Sequence, residues 1–197
     1  MEVNFMKGIH ALIITLAVLG AVIVISGCGS NEAALRKIAR EEAAKALENH
    51  EKSFAPEKFS FGVAWEKEFS FAQAVRVGNM IFLAGQLSHD RDLDEKGMPK
   101  RDLMTGKNFE EQLRQTLENM KAALAHYGAT MDDVVFLQHF VDPEAGKNRA
   151  GNYEPVLAKL IQEYFPKGLQ GMTCVEVSNL YGPEQLIESN AIAVVHK

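Results

Sequence analysis

The chain has 197 residues, a formal net charge of −5, and 47% hydrophobic and 24% charged residues. This composition fits one folded domain with extra segments, and a net acidic chain without a basic run is a poor candidate for non-specific nucleic-acid binding. Its two cysteines, Cys28 and Cys174, form no spaced framework, and its six histidines offer no pair at metal-ligand spacing, so neither a disulfide scaffold nor a metal site is expected.

Residues 1–27 read as an address rather than part of a fold. Lys7 supplies a positive start, and Ala11 to Ile25 is an apolar run without charge. Ile25-Ser26-Gly27-Cys28 follows, with small residues where a cleaved export signal has them. The run is at the short end for a spanning helix. Ile-Ser-Gly-Cys also resembles a bacterial lipobox. That resemblance implies cleavage before Cys28, lipid on its thiol and an acylated new amine, which together give a stable membrane anchor. The competing reading is an uncleaved single span. In the first case the protein sits in the cell envelope, on the periplasmic side of the outer membrane if the cell is Gram-negative.

Residues 28–58 read as a lipidated helical tether. The stretch from Asn31 to His50 is Ala-rich and balanced in charge, and its propensities favour helix. The apolar stripe of Leu35, Ile38 and Leu47 is thin. A helix over 29–50 would span roughly 33 Å at about 1.5 Å per residue. Ala55-Pro56 ends it.

The globular domain, 59–197, opens with the alternation Phe59, Phe61, Val63, which predicts a short strand. The runs AQAVRV and MIFLAGQ are split by Gly78-Asn79 and predict a hairpin with a type II′ turn. Gly85 lacks Cβ and permits close approach by another group or simply tight packing. The polar stretch from Ser88 to Lys107 predicts a long loop; His89, Asp90, Arg91 and Asp92 read as a solvated charge run before they read as ligands.

Asn108 and Glu111 form a capping box for a helix carrying Phe109, Leu113, Leu117, Met120 and Leu124 inward, with Gly128 at its end. Residues 134–141 predict a buried strand in which His139 is structural. A second helix is expected from about Asn152 to Tyr164, with Tyr153, Val156, Leu157, Leu160 and Ile161 inward.

Two apolar runs, around Cys174 and around Asn190, flank a turn at Gly182-Pro183 and predict a closing hairpin. Glu188 in such a strand is costly unless it edges a cleft, a surface or an interface. Cys174 is expected to be small and buried.

The order hairpin, helix, strand, helix, hairpin predicts a mixed sheet with both helices on one face and parallel neighbours across each helix. The other face has no helix to cover it, which predicts burial by another copy of the chain.

Residues 70–195 resemble the RidA/YjgF family, also named after endoribonuclease L-PSP. The matching pieces are Phe71 to Asn79, Ala84-Gly85-Gln86, the helix EEQLRQTLENMKAALAHYGA, Asp132 to Val135, and Thr173 to Val177. The resemblance implies a chorismate-mutase-like α/β fold and a homotrimer with small-molecule clefts at its subunit interfaces. It also implies hydrolysis of reactive 2-enamines and 2-imines to 2-oxo acids and ammonia, without metal or organic cofactor. Glu188 and Cys174 fall on the family's catalytic positions. Met172, Phe71, Gly85 and Gln86 fall on its substrate-binding positions.

Met172 departs from the pattern, because active members carry there an Arg that grips the substrate carboxylate. A planar two-pronged cation suits that task and a thioether does not. Phe71 likewise lacks the hydroxyl of the tyrosine common in the family.

Three readings follow. The first is an anchored RidA-like protein whose cleft takes something other than a simple 2-imino acid. The second is a working imine deaminase that borrows Arg76, Arg91, Arg101 or Arg149. The third is a non-catalytic envelope scaffold or holdase. The acidic balance disfavours ribonuclease activity.

Overall fold

The computed structural model describes residues 32–105, 107–142, 152–182 and 184–195. The apolar run at 11–25, Cys28, Arg149 and Pro183 lie outside the described residues. The chain divides into two compact units, Met1–Ala55 and Pro56–Lys197.

In the first unit, helix α1 runs over Glu32–Ser53. Ion pairs one turn apart, Lys37–Glu41 at 3.9 Å and Lys52–Glu48 at 2.7 Å, decorate it. Exposed pairs of this kind add only a few tenths of a kcal/mol each. Its apolar residues Ile38 and Leu47 are exposed.

The second unit contains β1 (Glu57–Phe59), α2 (Ala64–Glu68), β2 (Ala74–Val77), β3 (Met80–Gln86) and α3 (Phe109–His126). Then come β4 (Val134–Val141), α4 (Glu154–Tyr164), β5 (Met172–Glu176) and β6 (Ile187–Val194). One six-stranded sheet has the order β1-β2-β3-β6-β4-β5. Only β4 and β5 pair in parallel; the other neighbours are antiparallel. The sheet is therefore mixed, and the fold is of the α/β, chorismate-mutase-like class.

The β2–β3 hairpin turns at Gly78-Asn79, with Val77 opposite Met80. Gly78 has φ +62° and Asn79 is not in the positive region, as a type II′ turn requires. The strand expected over Phe59–Val63 is shifted to Glu57–Phe59, because Val63 caps the start of the short helix α2.

Helix α3 starts with a full capping box. Asn108 Oδ1 accepts from the Glu111 backbone N–H at 3.0 Å, and the Asn108 N–H donates to Glu111 Oε2 at 3.0 Å. Leu113, Leu117, Met120 and Leu124 are fully buried against the sheet, together with Leu137, Val141, Ile187 and Ala193. Helix α4 adds Leu157 and Leu160 to the same core. It is tied to α3 by Arg114–Glu163, Lys159–Glu110 at 2.8 Å and Tyr164 Oη to Glu118 at 2.7 Å.

The closing hairpin predicted over 171–195 does not form. β4 lies between β5 and β6, pairing parallel with the first and antiparallel with the second. β6 in turn separates β3 from β4, so only the α4 crossover joins parallel neighbours. Sequence adjacency favours local pairing. Here β6 instead fills the gap between two strands that both offer unpaired backbone groups.

Side chains alternate along each strand. On β6, Ile187, Ser189, Ala191 and Ala193 are buried toward the helices, whereas Glu188, Asn190, Ile192 and Val194 face the other way. That second face also carries Met80 and Phe82 of β3 and Val175 of β5, which are 37%, 41% and 40% exposed. It is an apolar surface left open in the single chain.

Candidate functional site

The chemistry-bearing residues separate into two groups. The first surrounds a cleft of about 710 Å³ lined by α2, the turn after it, β3, the 88–107 loop and the segment before β6. Phe71, Gly85 and Glu188 all line it.

Glu188 approaches Gly85 so closely that a Cβ at position 85 would occupy the space of its carboxylate. The missing Cβ therefore serves the carboxylate rather than backbone packing. Gln185 orients the other side of the group: its Nε2 donates to Glu188 Oε2 at 3.2 Å, and its Oε1 accepts from the Gly182 N–H at 3.1 Å. Burial pushes the Glu188 carboxyl above its ordinary value, and the Gln185 hydrogen bond only partly opposes this.

Around this carboxylate the lining is largely apolar and aromatic. Trp65 and Phe69 come from α2 and its end, Met98 and Met104 from the long loop, and Tyr181 from the segment after β5. Among the described residues, no Lys or Arg lines the cleft. Arg76 instead donates through Nε to the Gly78 carbonyl at 2.9 Å. Arg101 makes a two-pronged pair with Asp90 at 2.7 and 2.8 Å.

The 88–107 loop is a solvated charge run over most of its length, with Arg91, Asp92, Asp94, Glu95 and Lys96 exposed, but not at its start. Ser88, His89 and Asp90 are buried. His89 is boxed edge-on by Phe61 and Trp65, with ring centroids 5.3 and 5.6 Å away. Burial lowers the His89 pKa. The Arg101 guanidinium holds the Asp90 carboxyl well below the usual carboxylate range. Asn119 of α3 donates to the Leu87 and His89 carbonyls at 2.8 and 2.9 Å. Farther out, Asp94 and Met98 pair across the loop's tip at 2.8 Å, and the Gly97 carbonyl accepts from Ala64 N–H at 2.9 Å. A pinned loop thus delivers Met98 and Met104 as one wall.

Two features of the supporting structure were invisible in the sequence pattern. The buried Gln112 of α3 donates to the Met104 and Glu184 carbonyls at 3.1 and 2.9 Å and accepts from Leu186 N–H at 2.9 Å. It joins the helix to both walls of the cleft. Helix α2 ends with Phe71 N–H on the Glu66 carbonyl and Ser70 N–H on the Lys67 carbonyl. This is the Schellman pattern, and Ser70 fills its left-handed position at φ 55°. The turn sets Phe69 and Phe71 on either side of Ser70.

The second group is Met172 and Cys174 on β5. Their partners on β4 are Leu137 and His139, whereas Glu188 is opposite Phe140. By strand alternation, Met172 and Cys174 face the helix side and Glu188 the open side. One chain does not bring these groups together.

Cys174 is exposed, against the expectation of a small buried residue, because β5 is an edge strand with one neighbour. Its thiol is pushed up by burial and by Glu176 and Glu154, the opposite of an activated nucleophile. Tyr153 Oη donates to Glu176 at 2.6 Å beside it.

Gln86 is not in the cleft. It is fully buried, and its Nε2 donates to Gln73 Oε1 at 2.8 Å. His139 is also buried, with Nδ1 2.7 Å from Ser189 Oγ and a pKa lowered by burial to about 4. It is held neutral inside the core. Among the described residues, no three His, Cys, Asp or Glu side chains converge as metal ligands would.

The family model for endoribonuclease L-PSP matches residues 61–195. The chain belongs to this family, the RidA/YjgF group. A RutC family protein of Pyrococcus abyssi is 33% identical over 123 residues, covering 62% of this chain and 84% of that protein. A Dermatophagoides farinae protein named as a 2-iminobutanoate/2-iminopropanoate deaminase is 29% identical over 110 residues, covering 56% of this chain and 74% of that protein. Among solved structures, a YjgF-family protein of Mycobacterium tuberculosis superposes with a TM-score of 0.56 at 25% identity. The match covers 72% of this chain and all of that one.

Proposed function

We propose that this RidA/YjgF-family chain is a membrane-anchored small-molecule-binding protein whose cleft is completed between copies. One copy contributes Glu188, Gly85 and Phe71, and the edge strand of another contributes Met172 and Cys174. The open apolar sheet face and the exposed β5 edge support the association, and a homotrimer is the assembly that the family resemblance implies. Lipid on Cys28 attaches the assembly to the cell envelope.

Glu188 beside Gly85, half-buried and raised in pKa, carries the chemical reading. A carboxylate shifted toward neutrality suits proton transfer. It takes a proton from water as the water oxygen bonds to an imine carbon, and passes that proton to the nitrogen. Glu188 then carries the hydroxyl proton of the resulting carbinolamine to the amine, so that ammonia leaves as the carbonyl forms. The ligand is not a simple 2-imino acid, since Met172 replaces the anion-gripping arginine and no cation lines the cleft among the described residues. A desolvated substrate carboxylate would lose its charge-assisted bonds there.

Ammonia release from 2-iminobutanoate generated in situ tests this reading. The native chain is expected to be at least about a hundredfold slower than Met172→Arg, the cost of one lost charge-assisted contact. A fast native chain would favour the second reading, an imine deaminase like the named mite relative. That reading needs an arginine from elsewhere, and Arg76 and Arg101 are already engaged.

A further inference from the structure

Four aromatic side chains, Trp65, Phe69, Phe71 and Tyr181, line one cleft together with Glu68 and Glu188. Phe69 and Tyr181 meet edge to face with centroids 6.2 Å apart, and they are 55% and 87% exposed. Large aromatic rings held in water are costly. The ring faces that they present carry negative electrostatic potential and attract cations. Neither carboxylate has a Lys or Arg beside it among the described lining residues. The one hydrogen bond that Glu188 receives among the described residues comes from a neutral amide. In the part of the cleft that one chain supplies, an anionic ligand would meet two carboxylates and, among the described lining residues, no counter-charge. A neutral one would leave Glu188 desolvated and unpaired.

We propose that the cleft selects organic cations: a protonated amine, an iminium or a quaternary ammonium with a small apolar substituent and no carboxylate. The proposal rests on the cleft being the ligand site and reverses the charge preference of an arginine-clamped site. The ammonium sits against the aromatic rings, with Glu68 and Glu188 as its counter-charges. An iminium held in this way presents an activated carbon to the water that Glu188 deprotonates, so recognition and chemistry use the same carboxylate.

The chain's single tryptophan is Trp65, so its fluorescence reports occupancy of the cleft directly. Titration of the full chain in detergent uses three probes of nearly equal shape: choline, 3,3-dimethylbutan-1-ol and 3,3-dimethylbutanoate. Calorimetry supplies a second readout that does not depend on the indole. Choline is expected to bind at least about tenfold more tightly than the alcohol, in line with a cation held by aromatic faces and carboxylates. The carboxylate should bind more weakly than both. Glu68→Gln should weaken choline about threefold and leave the alcohol unchanged, as expected for one partly solvated charge.

Equal affinities for choline and the alcohol, tighter binding of the anion, or no binding of any probe would each overturn the proposal. Activity of Met172→Arg on 2-iminobutanoate separates the causes. If it appears while choline shows no preference, the cleft is the ligand site and only its cation selectivity falls. If neither is seen, both readings fall.

Discussion

Burial raises the Glu188 carboxyl above its ordinary value of 4.5, and Gln185 offsets only part of that cost. A carboxyl whose folded pKa lies above its unfolded value holds its proton more tightly in the folded state. Stability therefore falls as pH rises from about 4.5 through the folded value, and the full cost is present above it. Glu188→Gln keeps the shape and still accepts from Gln185. It should melt at a higher temperature than the native chain at pH 7, and the difference should vanish below pH 4 (about the unfolded value). Thermal melts across this range check the sign, and a variant less stable at pH 7 would show that the ionised carboxylate is well satisfied. In the proposed hydrolysis the same residue transfers the proton, so the substitution should gain stability while losing any hydrolytic activity of the Met172→Arg background.

Two local devices hold the cleft's walls, and each makes a separate prediction. Ser70 occupies the left-handed position of the turn closing α2, which a side chain with Cβ adopts at a cost of about 1 kcal/mol. Ser70→Gly should stabilise the protein by roughly this amount in denaturant unfolding, with Phe69 and Phe71 unmoved; no gain would mean that the serine is not strained. Gln112 satisfies three backbone groups on two walls. Gln112→Leu should cost about 2 kcal/mol or more, because buried polar groups lose their partners. A near-neutral change would show that water replaces the amide.

The sequence announced these elements better than it announced their partners. Alternation and capping residues located the β2–β3 hairpin, α3 and the strand at 134–141, because those signals are local. The pairing of β5 with β4 rather than β6 depends on which strands still offer backbone groups once the sheet assembles, and no local pattern encodes that. The start of the 88–107 loop departs from the expected solvated run for a related reason. Its composition is charged, yet Asp90 is buried because Arg101, eleven positions away, satisfies it. At the site, Phe71, Gly85 and Glu188 were legible from the family motifs. Trp65, Tyr181 and the loop methionines were not, since they meet only in three dimensions.

At the scale of the molecule, a six-stranded sheet has helices on one face and an open apolar face on the other. The residues of interest lie on opposite faces of that sheet, Glu188 on the open side and Met172 on the side of the helices. In the proposed assembly, copies meet through the open face and the β5 edge, surfaces otherwise prone to uncontrolled contacts. Under that proposal, the cleft and the residue at position 172 belong to one site of the assembly rather than to one chain. Anchoring through Cys28 would concentrate copies on a surface and favour the same association.

Mixing two chains tests the shared site most directly. The first is the native chain, with Glu188 and Met172; the second carries Met172→Arg and Glu188→Gln on one polypeptide. Each alone lacks one half of the imine-hydrolysing pair, and Met172→Arg alone sets the scale of full activity. If the cleft is completed between copies, unfolding and refolding the two together should create sites with Arg from one chain and Glu188 from the other, and ammonia release from 2-iminobutanoate should appear. If the mixture releases no more ammonia than the two chains assayed separately while Met172→Arg alone is active, both groups act within one chain and the account of a shared cleft is wrong.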